Sequence, residues 1–315
     1  MSDLAKKFIS LKLYSDVESY VNETTSEEII EIEKFTSNKA YDMEKYGFFF
    51  MPNKITYARK TSKTIESVLS LLSKNKRKKI NKLIKNIDKT EIITEYPVSE
   101  KTYVEWYDSI YVPAVKSKSK GIILTERSWW TKDTDKCEKI GVFYKKNGKI
   151  MAGLVARSFT KDSDSPKRMS ISYSAINDEV KKEGINDYLN LLMIVFAKAC
   201  SYDYIYRGKD TNLYGKHLSS GIPIFKLSLG YEIIPVKKSK DMLLKFNNLD
   251  DFEDTIFFVS YAKDSKKLIA NLILKKDTED IESKIKKYNE SFFLKICVYN
   301  YENRQLKLQK EIIND

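Results

Sequence analysis

Three cysteines, one histidine and few glycines or prolines stand in this chain of 315 residues. Apolar runs are short, and none reaches the roughly 18 residues that a membrane-spanning helix needs. Cys137, Cys200 and Cys297 lie far apart with no CxxC spacing. That argues against a zinc site and a disulfide framework, and for a reduced, cytoplasmic setting. The opening MSDLAKKFISLKLYSD lacks the uninterrupted apolar core and small-residue cleavage site of a signal peptide. No fixed-period repeat and no low-complexity linker is present, so the modules are expected to pack closely. Helix-turn-helix, RNP and zinc motifs are also missing, which leaves a non-catalytic RNA- or DNA-binding protein, or a scaffold, without a motif to carry it.

What the chain has in excess is lysine. The formal net charge is +12, spread over the whole length. In a background rich in Ile, Asn and Tyr this fits two origins. One is an AT-rich coding sequence; the other is an acidic partner: RNA, a nucleotide-bearing substrate or an anionic leader peptide.

Punctuation and periodicity divide the chain into residues 1–75, a small mixed region; 76–236, a mixed α/β domain; and 237–315, an appendage of a small sheet and one helix. In the first, SEEIIEIEKFTSNKAYDMEKY has helical periodicity with Ser26 as its cap. GFFFMPNKITYAR reads as a strand broken at Pro52. A helix follows from Ser62 or Thr64, with apolar residues from Val68 to Ile87 at helical spacing. The run KNKRKK interrupts them, either as a solvated turn between two helices or as a basic helix end that meets phosphate.

Further on, EIITEYP reads as a strand and SEKTYVEWYDSIY as a helix ended at Pro113. IGVFYKKNGKIMAGLVARSFT places Asn147-Gly148 between two apolar runs, a strong hairpin signal. RMSISYSAIN alternates as a strand. Asn186 or Asp187 is expected to cap an apolar helix that ends at Cys200, where a small core residue fits. YDYIYRG is a strand, HLSSGIPIFKLSLG a short helix stopped at Gly230, and YEIIPV a strand.

The order helix, hairpin, strand, buried helix, strand, short helix, strand over 90–236 is similar to the GNAT acyltransferase fold. In finer detail NKRKKINKLIKN, the hairpin, NDYLNLLMIVFAKACSYDYIYRG and GIPIFKLSLGYEIIP resemble its Fem-type, aminoacyl-transferring branch. The resemblance implies a central mixed sheet with flanking helices, α/β in class. It implies residues 1–75 as a partial or reduced GNAT-like region, since Fem-type proteins carry two such domains. It further implies transfer of an aminoacyl group from charged tRNA, or of an acyl group from a thioester, to an amine of a peptide or peptidoglycan precursor.

Acetyl-CoA-using members hold pyrophosphate on a glycine-rich loop before the buried helix. Here that loop is NDEVKKEGIND, with Gly184 as its one glycine. The expected donor is therefore aminoacyl-tRNA, with acyl-CoA as the alternative, and no bound cofactor or metal is expected.

Lys226 is the expected catalytic residue, a cation to counter the tetrahedral oxyanion, with Phe225 packing beside it. Lys74, Lys76, Arg77, Lys78, Lys79, Lys181 and Lys182 are the expected phosphate contacts. In the implied fold the hairpin, the next strand and the strand after the buried helix meet at a slot. Arg157, Ser170, Ser172, Tyr173, Tyr204, Tyr206 and Arg207 are thereby expected to face substrate. His217 is a candidate on the strength of its pKa, with Glu126 and Asp203 as other bases. Trp129 and Trp130 would either stack on a base or pack in the core.

Overall fold

The computed structural model describes residues 11–14, 29–32, 43–118, 121–134, 136–159, 168–237, 239–247, 249, 252–263, 265, 267–275, 278, 280–302 and 305–314. Its elements begin with β1 (Leu11–Tyr14), β2 (Ile29–Ile32), β3 (Phe49–Pro52), β4 (Lys54–Lys60), α1 (Ile65–Ser70), α2 (Lys74–Asn86), β5 (Ile92–Glu95), α3 (Glu100–Trp106) and α4 (Val112–Lys116). They continue with β6 (Cys137–Lys146), β7 (Lys149–Phe159), β8 (Arg168–Ile176), α5 (Ile185–Ala199), β9 (Tyr204–Thr211), α6 (Gly221–Leu227) and β10 (Glu232–Pro235). Last come β11 (Asp241–Phe246), β12 (Thr255–Tyr261), β13 (Leu268–Leu274), α7 (Ile281–Tyr288), β14 (Lys295–Glu302) and β15 (Gln305–Ile313).

Contacts gather the chain into two compact units, one of Met1–Ile55, Lys209–Leu227 and Ile234–Asp315, the other of Thr56–Gly208 and Ser228–Ile233. This cuts the chain differently from the expected 1–75, 76–236 and 237–315. The first unit collects both chain ends together with the segment that carries Lys226.

The second unit is built on a mixed sheet of order β10-β4-β9-β8-β7-β6-β5. Its β6–β7 hairpin turns at Asn147 (φ 52°) and Gly148 (φ 75°), both left-handed. A two-residue turn needs that pair of angles to match the twist of the strands it joins. Helices α1, α2 and α5 pack together, with α5 lying on β6, β7 and β8. The 100–116 helices lie on β7 and β8. There Trp106, Tyr103, Trp129, Phe143 and Val155 form one buried cluster. Gly153 lets the Trp106 ring lie on the sheet: a Cβ there would stand 2.4 Å from Trp106 Cδ1.

In the first unit, β1, β2, β11 and β3 form one sheet and β12, β13, β14 and β15 another. Met51, Leu244, Phe246, Ile256 and Phe258 share its core. Asn212 is buried and fully bonded: its Nδ2 donates to Pro52 O (2.9 Å) and Val259 O (2.7 Å), and its Oδ1 accepts from Val259 N (2.9 Å).

Several local expectations are corrected. Residues 29–32 are a strand, not helix, because β2 finds backbone partners in β1 and β11, far off in sequence; the expected cap Ser26 lies outside the described residues. The basic run is not a turn: Lys74 opens α2, and the break falls at 71–73. Pro113 does not end its helix. A π turn at Tyr107–Tyr111 shifts the bonding to Val112 N–H on Tyr107 O, and Pro113 enters as the start of α4, where no N–H is needed. Asn186 and Asp187 are not the cap of α5; Gly184, with φ 92°, is.

Candidate functional site

Strand β8 is the pivot of the second unit. It pairs with β7 along its length, but the register shifts between Val155 and Ala156, opposite Tyr173 and Ile171. Ser172 is the extra residue of that bulge. Beside it, β8 pairs in parallel with β9 over three residues only: Met169 with Ile205, Ser170 with Tyr206, Ile171 with Arg207. A bulge bends a strand and adds twist, so β8 turns away from β9 where Ser172 is inserted. A slot opens beyond Ile171 and Arg207. Across it, Arg207 Nη2 donates to Ser174 Oγ at 3.1 Å.

Alternation along the strands sorts the expected substrate-facing residues onto two faces. Val155, Tyr173 and Arg157 share the face of the 100–116 helices. Tyr173 meets Trp129 edge-on at 6.0 Å and donates to Leu124 O at 3.2 Å. Arg157 lies over the Trp129 ring at 5.5 Å and pairs with Asp133 at 3.6 Å. Trp129 itself is core, stacked on Tyr103 at 5.3 Å. Ser170 and Tyr206 fall on this face too, with Tyr204 exposed at its edge. Arg207 and Ser174 fall on the opposite face, that of α5. The expected set is therefore divided by the sheet, and Arg207 is the member that lines the slot on the α5 side.

The basic residues converge better. Lys74, Arg77, Lys78 and Lys79 are exposed along α2, and Lys76 is half-buried. Lys76 Nζ donates to Ser228 Oγ (2.6 Å) and pairs with Asp187 (3.2 Å) in the first turn of α5. Lys79 runs over Gly184, where an added Cβ would stand 3.2 Å from Lys79 Cε. Lys181 and Lys182 are exposed in the preceding turn, Lys181 paired with Asp178 at 3.0 Å. The two basic stretches thus meet at the amino end of the buried helix, whose free N–H groups carry partial positive charge. Burial pushes the Lys76 ammonium pKa down, against the pull of Asp187.

Lys226 belongs to the first unit and is buried, 8% exposed. Its ammonium bonds to the Asp210 carboxylate, which also accepts Tyr214 O–H at 2.8 Å. Asp210, near the end of β9, was missed by sequence reasoning; an aspartate 16 residues upstream of Lys226 carries no periodic signal. Phe225 and His217 are half-buried. Glu126 and Asp203 are exposed and bonded to Lys132 (2.5 Å) and Lys198 (2.8 Å). Those bonds hold both carboxyls below the usual range, the opposite of tuning for a base.

Among the described residues, no cluster of His, Cys, Asp and Glu is arranged to hold a metal ion. No described helix is long and apolar enough to cross a membrane.

These elements define a mixed α/β protein whose order of elements is similar to that of the GNAT fold. The hairpin, strand, buried helix and parallel strand follow in the expected order, and pairing between β8 and β9 ends at Ile171 and Arg207. No family model matches the sequence, and no curated protein matches it significantly. Among solved structures the chain is similar to that of FemX, at 10% identity over 70% of this chain and 72% of that one, with a TM-score of 0.44. It is also similar to L-PGS from Bacillus licheniformis, at 14% identity over 70% and 68% with a TM-score of 0.37. A third is the aminoglycoside acetyltransferase meta-AAC0020 from an uncultured soil metagenomic sample, at 13% identity over 38% and 79% with a TM-score of 0.30.

Proposed function

We propose that this chain is an acyltransferase that moves an aminoacyl group from charged tRNA to an amine of a peptide or cell-wall precursor. The observation that carries the reading is the slot between β8 and β9, with lysines from α2 gathered at the Gly184 end of the helix beside it. A slot between parting parallel strands lets an extended acyl chain or amine bond to free backbone edges. A basic, glycine-started helix end suits a phosphate backbone better than a tight pyrophosphate loop.

In the transfer the amine nitrogen attacks the ester carbonyl. The tetrahedral oxyanion forms, the bond to the ribose oxygen breaks, and the amine proton leaves with that oxygen. Lys226 is the proposed partner of the oxyanion. Asp210 orients its ammonium, and Phe225 packs beside it. The remaining substrate contacts are proposed for Arg207 at the slot, Arg157, Ser172, Tyr173, Tyr204 and Tyr206 along the strands, and His217. Lys74, Lys76, Arg77, Lys78, Lys79, Lys181 and Lys182 are proposed to bear the tRNA backbone.

Labelled aminoacyl-tRNA consumption is the test, with tRNA affinity followed against salt. Removing Lys226 alone would strand the Asp210 carboxylate, so Lys226→Ala is compared with its parent in an Asp210→Asn background. A loss of kcat of about a hundredfold to a thousandfold is expected. Unchanged turnover would remove Lys226 from catalysis. Protection against melting by acyl-CoA, without tRNA affinity, would move the donor to a thioester. Tight tRNA binding with no turnover in any acceptor pool would point to a binding module.

A further inference from the structure

We infer that Arg59 and Tyr231, with Arg207 beside them, form a buried oxyanion site in the second unit that takes the carboxylate or phosphate group of a bound substrate. Of the residues that sequence reasoning assigned to phosphate, Lys76 alone stands near it. It does not depend on the transfer chemistry proposed above, because the test below needs no turnover.

Arg59 on β4 is 4% exposed and Tyr231, just ahead of β10, is 1% exposed. The guanidinium has one protein acceptor, the Val68 carbonyl, 3.5 Å from Nη2. Its Nη1 has no hydrogen-bond partner, and neither has the Tyr231 hydroxyl. Among the described residues no carboxylate is paired with Arg59. Gly230 brings the backbone onto this group: a Cβ there would lie 2.9 Å from Arg59 Nη1.

The next strand in the sheet, β9, supplies Arg207, 5% exposed and bonded to Ser174 across the slot. Both guanidiniums are near enough to favour ionisation of Tyr231, yet burial outweighs them and pushes that phenol up, so it stays protonated and able to donate. Lys76 adds a third cation close to Arg59.

Buried polar groups in folded proteins nearly always find partners, and a buried cation without one is costly. Here two donors of different chemistry, an N–H and an O–H, share one buried neighbourhood and lack an acceptor. A single ligand satisfies both only if it offers several lone pairs and negative charge, which describes a carboxylate or a phosphate.

The full chain is melted in inorganic phosphate and in acetate, each against sodium chloride at matched ionic strength. A saturable rise in Tm beyond that in chloride is expected, in phosphate if the site takes a phosphate group and in acetate if it takes a carboxylate. Arg59→Met is expected to weaken the anion by about tenfold or more, and Tyr231→Phe by about threefold to tenfold. In chloride alone, Arg59→Met is expected to melt at or above the parent, since it removes an unpaired buried charge. If Arg59→Met does not fold, Tyr231→Phe carries the comparison. The inference is overturned if neither anion exceeds chloride, or if the anion raises the parent and Tyr231→Phe alike.

Discussion

On the side of the seven-stranded sheet facing the 100–116 helices, the buried side chains are rings: Trp106, Tyr103, Trp129, Tyr111 and Phe143. On the side facing α5 they include Arg59, Arg207 and Asn190, all nearly inaccessible. The aromatic face is closed, with rings stacked on one another and pressed on glycine backbone. Both faces keep unused hydrogen-bonding capacity: at the Trp106 and Trp129 indole nitrogens among the rings, and at Arg59 Nη1, Tyr231 Oη and Asn190 Oδ1 on the α5 face. One sheet thus separates a side packed with neutral rings from a side that buries two guanidinium groups, and such local conflicts mark working surfaces. The slot between β8 and β9 opens at the residue, Arg207, that belongs to the second side.

The sharpest way to break this comparison is to empty the aromatic face. Trp106→Ala is expected to cost about 3–5 kcal/mol by leaving a cavity among rings, read from urea unfolding. If its cost matched that of Arg59→Met, the two faces would not differ in kind. Gly153→Ala is the next test. A methyl pushed into Trp106 and Phe143 is expected to cost about 1–3 kcal/mol by overpacking, and a stable Gly153→Ala protein would show that the rings have room to shift.

The smallest effect is a pH dependence. Burial pushes the Tyr111 phenol up from 10.0 to about 12. Its folded pKa lies above its unfolded one, so its contribution is fully present below pH 10 and is lost as pH rises from there towards 12. Tyr111→Phe is therefore expected to unfold with a shallower alkaline slope than the parent between those two values. An identical slope would place the alkaline loss elsewhere, in Tyr96, which its hydrogen bond to Glu138 and then burial push to about 12, or in Tyr144, which burial and then Glu91 push to about 12.

Much of the second unit was legible along the chain because its signals are local. Asn147-Gly148 dictates its own turn, the apolar 185–199 segment can only be a buried helix, and the alternation of RMSISYSAIN shows a strand. The β12–β13 hairpin and the helix α7 were readable for the same reason, whereas β11 joins a sheet with β2 and β3. Misreadings occurred where distant partners decide. Residues 29–32 pattern as helix until β1 and β11 offer them ladders. Pro113 reads as a stop until the π turn removes the need for its N–H. The candidate site was readable as composition but not as geometry: Lys226 stood out, whereas Asp210, Arg59 and Tyr231 carry no periodic or motif signal.

From its residues alone this chain specified a mixed α/β protein with a basic helix and a buried helix, since hydrophobic period, turn chemistry and charge act over a few neighbouring positions. Tertiary structure alone decided that the expected substrate residues fall on opposite faces of one sheet, that Lys226 is held by a carboxylate, and that an arginine and a tyrosine 172 positions apart are buried near one another. Contacts of that span depend on which strands pair and where one bulge sends β8 away from β9, and only the folded sheet settles that.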